Sequence, residues 1–424
     1  MTDVVVIGAG MAGVTAARAL ARQGLAVAVV EARDRIGGRI YSVRDFCAVP
    51  VEGGAEFVHT GDAETWPEIH SASLTVRPCP LARNSMFNLG GRTLWLPWIL
   101  MQPSVWPSFP ILRQIRRIGS QDISAREFIE RHGFRGQARI MAEMTLTAHL
   151  PGSIDDVGVR GLLEDRVLKL ETGSYHRVTD GYDRLPSYIG KGLDIRLGFV
   201  VETVRWAPDG VRLIARDGRE ITARATISTL PFGVLKSGAV RFVPELPEHK
   251  RSTFAHLEMG PVLKLLLHFK EPFWPRWLTN LGCGTGPVTL YWPVFYGTTG
   301  LPAVLTAYCT GPRAAQLSRL GEAEAVDVVL ADLQRLFPKA DPRRMLLAAR
   351  RIDWATDPFA CGGYTFLRPG GTGSRARLAA ADTGALFWAG AATATPTISD
   401  TVQAAYMSGL RAAAEVQRLL TGSR

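Results

Sequence analysis

The chain has 424 residues, 46% of them hydrophobic and 21% charged, which asks for more than one core and excludes a disordered or fibrous polymer. The formal net charge is +10, but only seven of the 49 basic residues are lysine and the arginines are spread along the chain, the densest group being Arg113, Arg116 and Arg117; no basic stripe marks a nucleic-acid partner, and none is expected. No apolar run reaches the roughly 20 residues of a bilayer-spanning helix, so no membrane partner is expected either.

In chain order, Val4–Ile7 reads as a short buried strand of a parallel sheet. It begins almost at Met1, so a cleaved secretory leader would remove the residues that follow it, and none is expected. Those residues are Gly8-Ala9-Gly10-Met11-Ala12-Gly13, then a helical stretch, Val14 to Gln23, and a second strand, Ala26 to Val30, ending at Glu31. Gly8 suits a tight turn, Gly10 a close approach of backbone to a pyrophosphate, and Gly13 close helix–strand packing. The pyrophosphate would sit on the helix N-terminus, where free N–H groups and the dipole favour an anion. Glu31 lies 18 residues after Gly13, where an acid binds ribose hydroxyls. A dinucleotide-binding unit is therefore expected, and the glycines alone do not choose between NAD and FAD.

The next residues, Glu31-Ala32-Arg33-Asp34-Arg35-Ile36-Gly37-Gly38-Arg39, resemble the signature of the flavin-containing amine oxidase family, which includes monoamine, polyamine and L-amino-acid oxidases. The resemblance continues in family order through Val51 to His59, Asp180-Gly181-Tyr182-Asp183-Arg184-Leu185, Pro231 to Lys236, Ala385 to Gly390 and the closing Gly409 to Ala413. It implies FAD as cofactor and an α/β fold in which a Rossmann-like FAD domain of the glutathione-reductase type (1–72, 177–255, 381–424) is interleaved with a mixed α+β substrate domain (73–176, 256–380). The first substrate segment reads as largely helical, with a Pro- and Trp-rich piece from Trp95 to Pro110 and a capping box at Ser124 and Glu127. Strands are expected at Val200–Trp206, Val211–Ala215, Ala225–Leu230 and Val262–Leu267.

What the resemblance implies for single residues is specific. Gly8, Gly10, Gly13, Glu31, Arg33, Gly38 and Arg39 would hold the nucleotide end of FAD, and the backbone of Val201 the adenine. Gly54 and Ala55 would pass beside the flavin ring. Gly390, Thr401 and Val402 would meet the ring end, where the closing helix starts. Lys264 matches a lysine that holds a water at flavin N5, and Tyr364 one wall of an aromatic cage for the substrate nitrogen. Thr401 stands where the opposite wall would be, which suits a bulkier substrate or an amide or amino-acid nitrogen. The family's Gly-Glu-Ala-Thr reads Gly390-Ala391-Ala392-Thr393 here, without the carboxylate. Gly363 occupies the position from which a cysteine attaches FAD in some members, so the cofactor should be non-covalent.

Residue chemistry adds further candidates. Lys264 lies in an apolar strand, where an ammonium is costly unless it is needed or can snorkel to solvent from an edge. Glu56 and His59 are candidate acid/base groups beside the ring. Arg83, Arg313 and Arg368 are candidates to pair with a substrate carboxylate, and Trp354 and Phe359 are pocket or core aromatics. The five cysteines (47, 79, 283, 309 and 361) are odd in number and lack metal spacing, so free thiols, no metal site and a cytoplasmic location are expected.

The expected reaction is FAD-dependent oxidation of a C–N bond in a small nitrogen-containing substrate. Hydride passes to flavin N5, an imine forms that is hydrolysed or trapped by another nucleophile, and molecular oxygen is reduced to hydrogen peroxide. A homodimer is compatible with this reading. The same FAD motifs serve C–C desaturases and protoporphyrinogen-oxidase-like enzymes, which would not need Lys264 and Tyr364. A non-catalytic flavin-binding protein would never be reduced by a small molecule.

Overall fold

The computed structural model describes residues 2–80, 84–147, 150–169, 174–382, 384–394 and 397–422. The expected first strand extends over Thr2–Ile7 and is buried from Val4 onward. It lies between Val27–Val30 and Glu220–Ser228, parallel to both, with Val4 opposite Val27 and Ala225. The helix Met11–Ala21 makes the crossover between the first two strands. Leu386–Trp388 extends the parallel portion beside Thr226–Ser228. The other half of the Glu220–Ser228 strand runs antiparallel to Gly210–Ala215, which pairs in turn with Val201–Ala207. One strand thus belongs to both a parallel nucleotide-binding sheet and a meander. The closing helix, Val402–Gly422, packs on the first helix, and a Cβ at Gly409 would lie 2.4 Å from the Ala12 carbonyl oxygen. Only glycine permits that approach.

A second sheet carries the other half of the molecule. Its strand order is Leu346–Asp353, Val262–Phe269, Ala303–Thr310, Leu290–Pro293, Asn280–Cys283, Ser85–Asn88, Thr93–Trp95. Val262–Phe269 is an interior strand, and its alternation decides what Lys264 can do. Leu263, Leu265 and Leu267 enter the core shared with the helix Glu322–Leu336. Residues on the opposite face, Val262 and Leu266, meet other neighbours, including Val43 and Val51. Lys264 belongs to this second face by the period of two, so the alternative that it snorkels to solvent from an edge does not hold.

The first substrate segment is less helical than expected. Phe57–His59, Tyr175–Val178 and Val76–Cys79 form a three-stranded sheet, and a domain boundary at 176/177 would cut its central strand. Helices do dominate 96–169, around a core that includes Ile115, Phe128, Ile129, Leu146 and Leu162. The Ser124 side chain caps Ala125–Arg131, accepting from Glu127 N at 3.2 Å. Among the described residues no helix is long and apolar enough to cross a membrane.

Candidate active site

Two cavities meet at the junction of the sheets. The first is a long cleft whose walls include Gly8, Gly10, Glu31, Arg33, Gly38, Arg39, Val201 and Gly390. Gly13 lies behind it: a Cβ there would fall 1.9 Å from the Gly8 carbonyl oxygen, so glycine alone lets helix and turn touch. A Cβ at Gly10 would meet nothing within 4 Å, leaving room for a ligand against the backbone. Glu31 is 6% exposed, and its carboxylate accepts from Ala9 N at 2.7 Å and Arg33 N at 2.9 Å. It ties the glycine loop to the end of the second strand and keeps lone pairs for ribose hydroxyls. Arg33 pairs with Asp357 at 2.6 Å and stacks over Phe359, and Trp354 and Phe359 both line the cleft. These are the features an FAD nucleotide requires: an anion-binding helix N-terminus, an acid for ribose and backbone open to close approach.

The second cavity shares Gly54, Ala55, Lys264, Tyr364, Asp400, Thr401 and Val402 with the cleft. Beyond that junction its walls are mostly apolar, with Phe87, Leu100, Phe109, Met141, Met144 and Leu290 among them. Glu56 and His59 line it too, and His59 stands edge-on to Tyr175. Thr401, expected to replace a cage wall, also caps the closing helix: its Oγ1 accepts from Ala404 N at 3.1 Å.

Lys264 is fixed from three sides. Its ammonium donates to Glu52 O at 3.0 Å, Gly54 O at 2.9 Å and Glu56 Oε2 at 2.9 Å. An ammonium has three hydrogens, so protein acceptors use its full capacity. To hold a water it must release one of them. Glu56 in turn accepts from Trp292 Nε1 at 3.0 Å and lies 2.8 Å from Arg177 Nη2. Burial alone would raise the Glu56 pKa, but Lys264 and Arg177 together outweigh it and hold the carboxyl below its ordinary range. Glu56 was expected as an acid/base group; the structure makes it the ionised partner of two buried cations, a weak base.

Glu52, two residues before Gly54, has the opposite environment. Desolvation pushes its carboxyl up to about 8, against hydrogen bonds from Tyr182 N and Ser42. Tyr364 and Tyr308 share a hydrogen bond and line the second cavity together; burial raises both phenols, so both stay neutral.

Other expectations fail or fall elsewhere. Arg313 donates to the carbonyls of Val288 and Gly284, both at 2.7 Å, and Arg368 pairs with Asp156 at 3.0 Å on the surface. Neither lines the cavity, because each is committed to local acceptors. Arg83 lies outside the described residues. All five cysteines are free thiols. Sequence reasoning missed Arg177, Trp292, Tyr308, Asp400 and the buried pair Arg375–Asp165. Only the run Ser399-Asp400-Thr401 before the closing helix carried a signal, as a helix N-cap.

A cleft shaped for FAD opening onto a substrate cavity defines a flavoprotein oxidoreductase. The chain belongs to the flavin containing amine oxidoreductase family, whose profile matches residues 11–107 and 124–417. It acts on amine C–N bonds with FAD as cofactor. Polyamine oxidase 4 of Oryza sativa subsp. japonica is 29% identical over 451 residues, covering 98% of this chain and 88% of that protein. Lysine-specific histone demethylase 2 of Homo sapiens is 27% identical over 442 residues, covering 98% of this chain but 53% of that protein. Cyclohexylamine oxidase from Brevibacterium oxydans IH-35A has the same fold at 20% identity, with a TM-score of 0.85 and full coverage of both chains. Wild-type putrescine oxidase bound to putrescine gives a TM-score of 0.85 at 21% identity, covering 98% of this chain and 99% of that one.

Proposed function

We propose that this protein oxidises an amine with a bulky apolar body. The observation that carries the reading is where charge sits in the substrate cavity. Of its carboxylates, Glu56 pairs with Lys264 and Asp400 adjoins Thr401 at the junction, while Asp165 is held by the buried Arg375; the remaining walls are built mainly from side chains such as Phe87, Leu96, Phe109, Leu112 and Met144. A long polyamine would need acids spaced along those walls. An amino acid would need a free cation, and the lysine at this junction is already paired with Glu56.

FAD bound in the cleft would supply the two-electron acceptor for oxidation at the carbon that bears nitrogen, with oxygen as the proposed terminal oxidant. The protein's own work is positioning and exclusion of water. The apolar walls desolvate the substrate. Lys264 holds the backbone at Glu52 and Gly54, and Glu56 holds Lys264. Tyr364 offers an aromatic face at the junction. His59 and Glu56 stay at the cavity wall, and with Lys264 and Tyr364 they form the catalytic set we propose. Free thiols fit a cytoplasmic enzyme.

The test is anaerobic mixing of the flavin-loaded protein with three substrate groups: cyclohexylamine and arylalkylamines, putrescine and spermidine, and L-amino acids. Bleaching of the flavin absorbance should be fastest with the first group. Bleaching by polyamines or amino acids alone, or by none of them, sinks the reading.

A further inference from the structure

Asp400 lines both cavities and lies two residues before the closing helix, next to its cap Thr401. Its φ is +56°, a conformation that is strained for a residue with a Cβ and that Asp tolerates better than most. Its side chain is only 6% exposed. Among the described residues the carboxylate has one close partner, the Thr365 hydroxyl. Its other two contacts are long: Arg375 Nη1 and Arg39 Nη1, each at 3.4 Å.

Both arginines have nearer acceptors. Arg375 is fully buried, and its Nε and Nη2 hold the two oxygens of Asp165. Its Nη1 donates to Thr365 Oγ1 at 2.6 Å and to Ala392 O at 3.2 Å. Arg39 donates to Gly363 O and lines the cofactor cleft. An ionised carboxylate offers about four acceptor sites, so Asp400 keeps acceptor capacity at a desolvated junction. Tyr364 and Asp400 both line the two cavities at their junction, and the carboxylate is near enough for its charge to act on that phenol. Thr401, where the resemblance places an opposite aromatic wall, is spent on capping the helix.

We propose that Asp400 and Tyr364 form a binding site for an organic ammonium, the carboxylate supplying charge and the phenol ring supplying its face. The site replaces an aromatic pair with an acid–aromatic pair. It rests on the amine reading above and names how that amine is held.

The test uses two ligands of nearly equal shape, choline and 3,3-dimethylbutan-1-ol, titrated into flavin-loaded enzyme and followed by perturbation of the flavin spectrum. Choline is a permanent cation and the alcohol is neutral. The wild type should bind choline about tenfold more tightly than the alcohol or better. Asp400→Asn should abolish that preference and leave the affinity for the alcohol unchanged. Equal affinity of the wild type for the two ligands overturns the proposal whatever the variants do. So does a variant that retains the preference, or one that weakens both ligands alike, since the role of Asp400 is then structural. Should Asp400→Asn lose its flavin, Asp400→Ser serves as the second variant under the same criteria. A cation preference that depends on Asp400 while no amine bleaches the flavin would keep this site and discard the oxidation reading.

Discussion

The cofactor cleft and the substrate cavity share a wall but are built differently. In the cleft, backbone does the recognising: glycines at 8, 10 and 13 leave N–H groups and space, and Glu31 is held by two backbone N–H groups. In the cavity, side chains from distant segments do it: Glu56 meets Lys264, Arg177 and Trp292, which lie on three different strands. A backbone site survives only if no Cβ intrudes; a side-chain site survives only if every buried charge keeps its partner. Substitutions should therefore fail in opposite ways in the two regions.

The largest effect is expected at Glu56. Glu56→Leu leaves Lys264 and Arg177 buried without a counter-charge, which costs about 3–5 kcal/mol. Glu56→Gln keeps the shape and some hydrogen bonds and should cost less. Denaturant titration of the three proteins measures both, and equal stability of Leu and Gln variants would show that charge pairing at this site contributes little. Next comes Gly13→Ala, where the added methyl would sit 1.9 Å from the Gly8 oxygen. The expected cost is about 3 kcal/mol, the upper range for overpacking, together with loss of bound flavin. Met141→Leu in the cavity wall conserves volume, should cost less than about 1.5 kcal/mol and should keep the flavin. Flavin retained by Gly13→Ala would break the contrast between the regions.

Glu52 sharpens it further, because it lies behind the junction and carries a proton there. Its folded pKa of about 8 lies above the ordinary 4.5. The folded state thus binds one more proton than the unfolded state between those values, and its contribution to stability is full below about 4.5 and is lost as pH rises to about 8. Glu52→Gln, neutral at every pH, should gain about 3–4 kcal/mol on the wild type between pH 5 and pH 8. Thermal unfolding at the two pH values checks this; parallel pH dependence of both proteins would mean that Glu52 is ionised in the fold.

The two regions also differed in how far they could be read from sequence. The glycine loop, its flanking strands and Glu31 are contiguous and periodic, and the structure has Gly8, Gly10 and Glu31 on the cleft wall with Gly13 behind it. The alternation in Val262–Leu267 located a strand and its lysine. The partners of that lysine were not legible, because Glu56, Arg177 and Trp292 come together only through pairing of distant strands. Asp400 and Arg375 were missed for the same reason. The segment from Trp95 to Pro110 was legible only as Pro- and Trp-rich, not in which aromatics are covered: Trp98 is 58% exposed and Trp106 52% exposed. Apolar runs without a clear period do not say which face is covered.

The smallest expected effect lies in the helical segment, where a local rule was read correctly and nothing distant depends on it. Ser124 accepts from Glu127 N and starts the helix Ala125–Arg131, whose Phe128 and Ile129 are fully buried. Ser124→Ala removes the acceptor for one N–H at the helix start, at a cost of about 1 kcal/mol. The buried side chains keep their packing, so the helix should remain and the cavity walls from Ile111 and Leu150 should stay in place. Flavin content and the rate of flavin bleaching by amine should match the wild type, while the unfolding midpoint falls by a few degrees. A loss of flavin in this variant would mean that the helical segment and the cofactor cleft fold as one cooperative unit, and that the separation drawn between a backbone-built cleft and a side-chain-built cavity is too sharp.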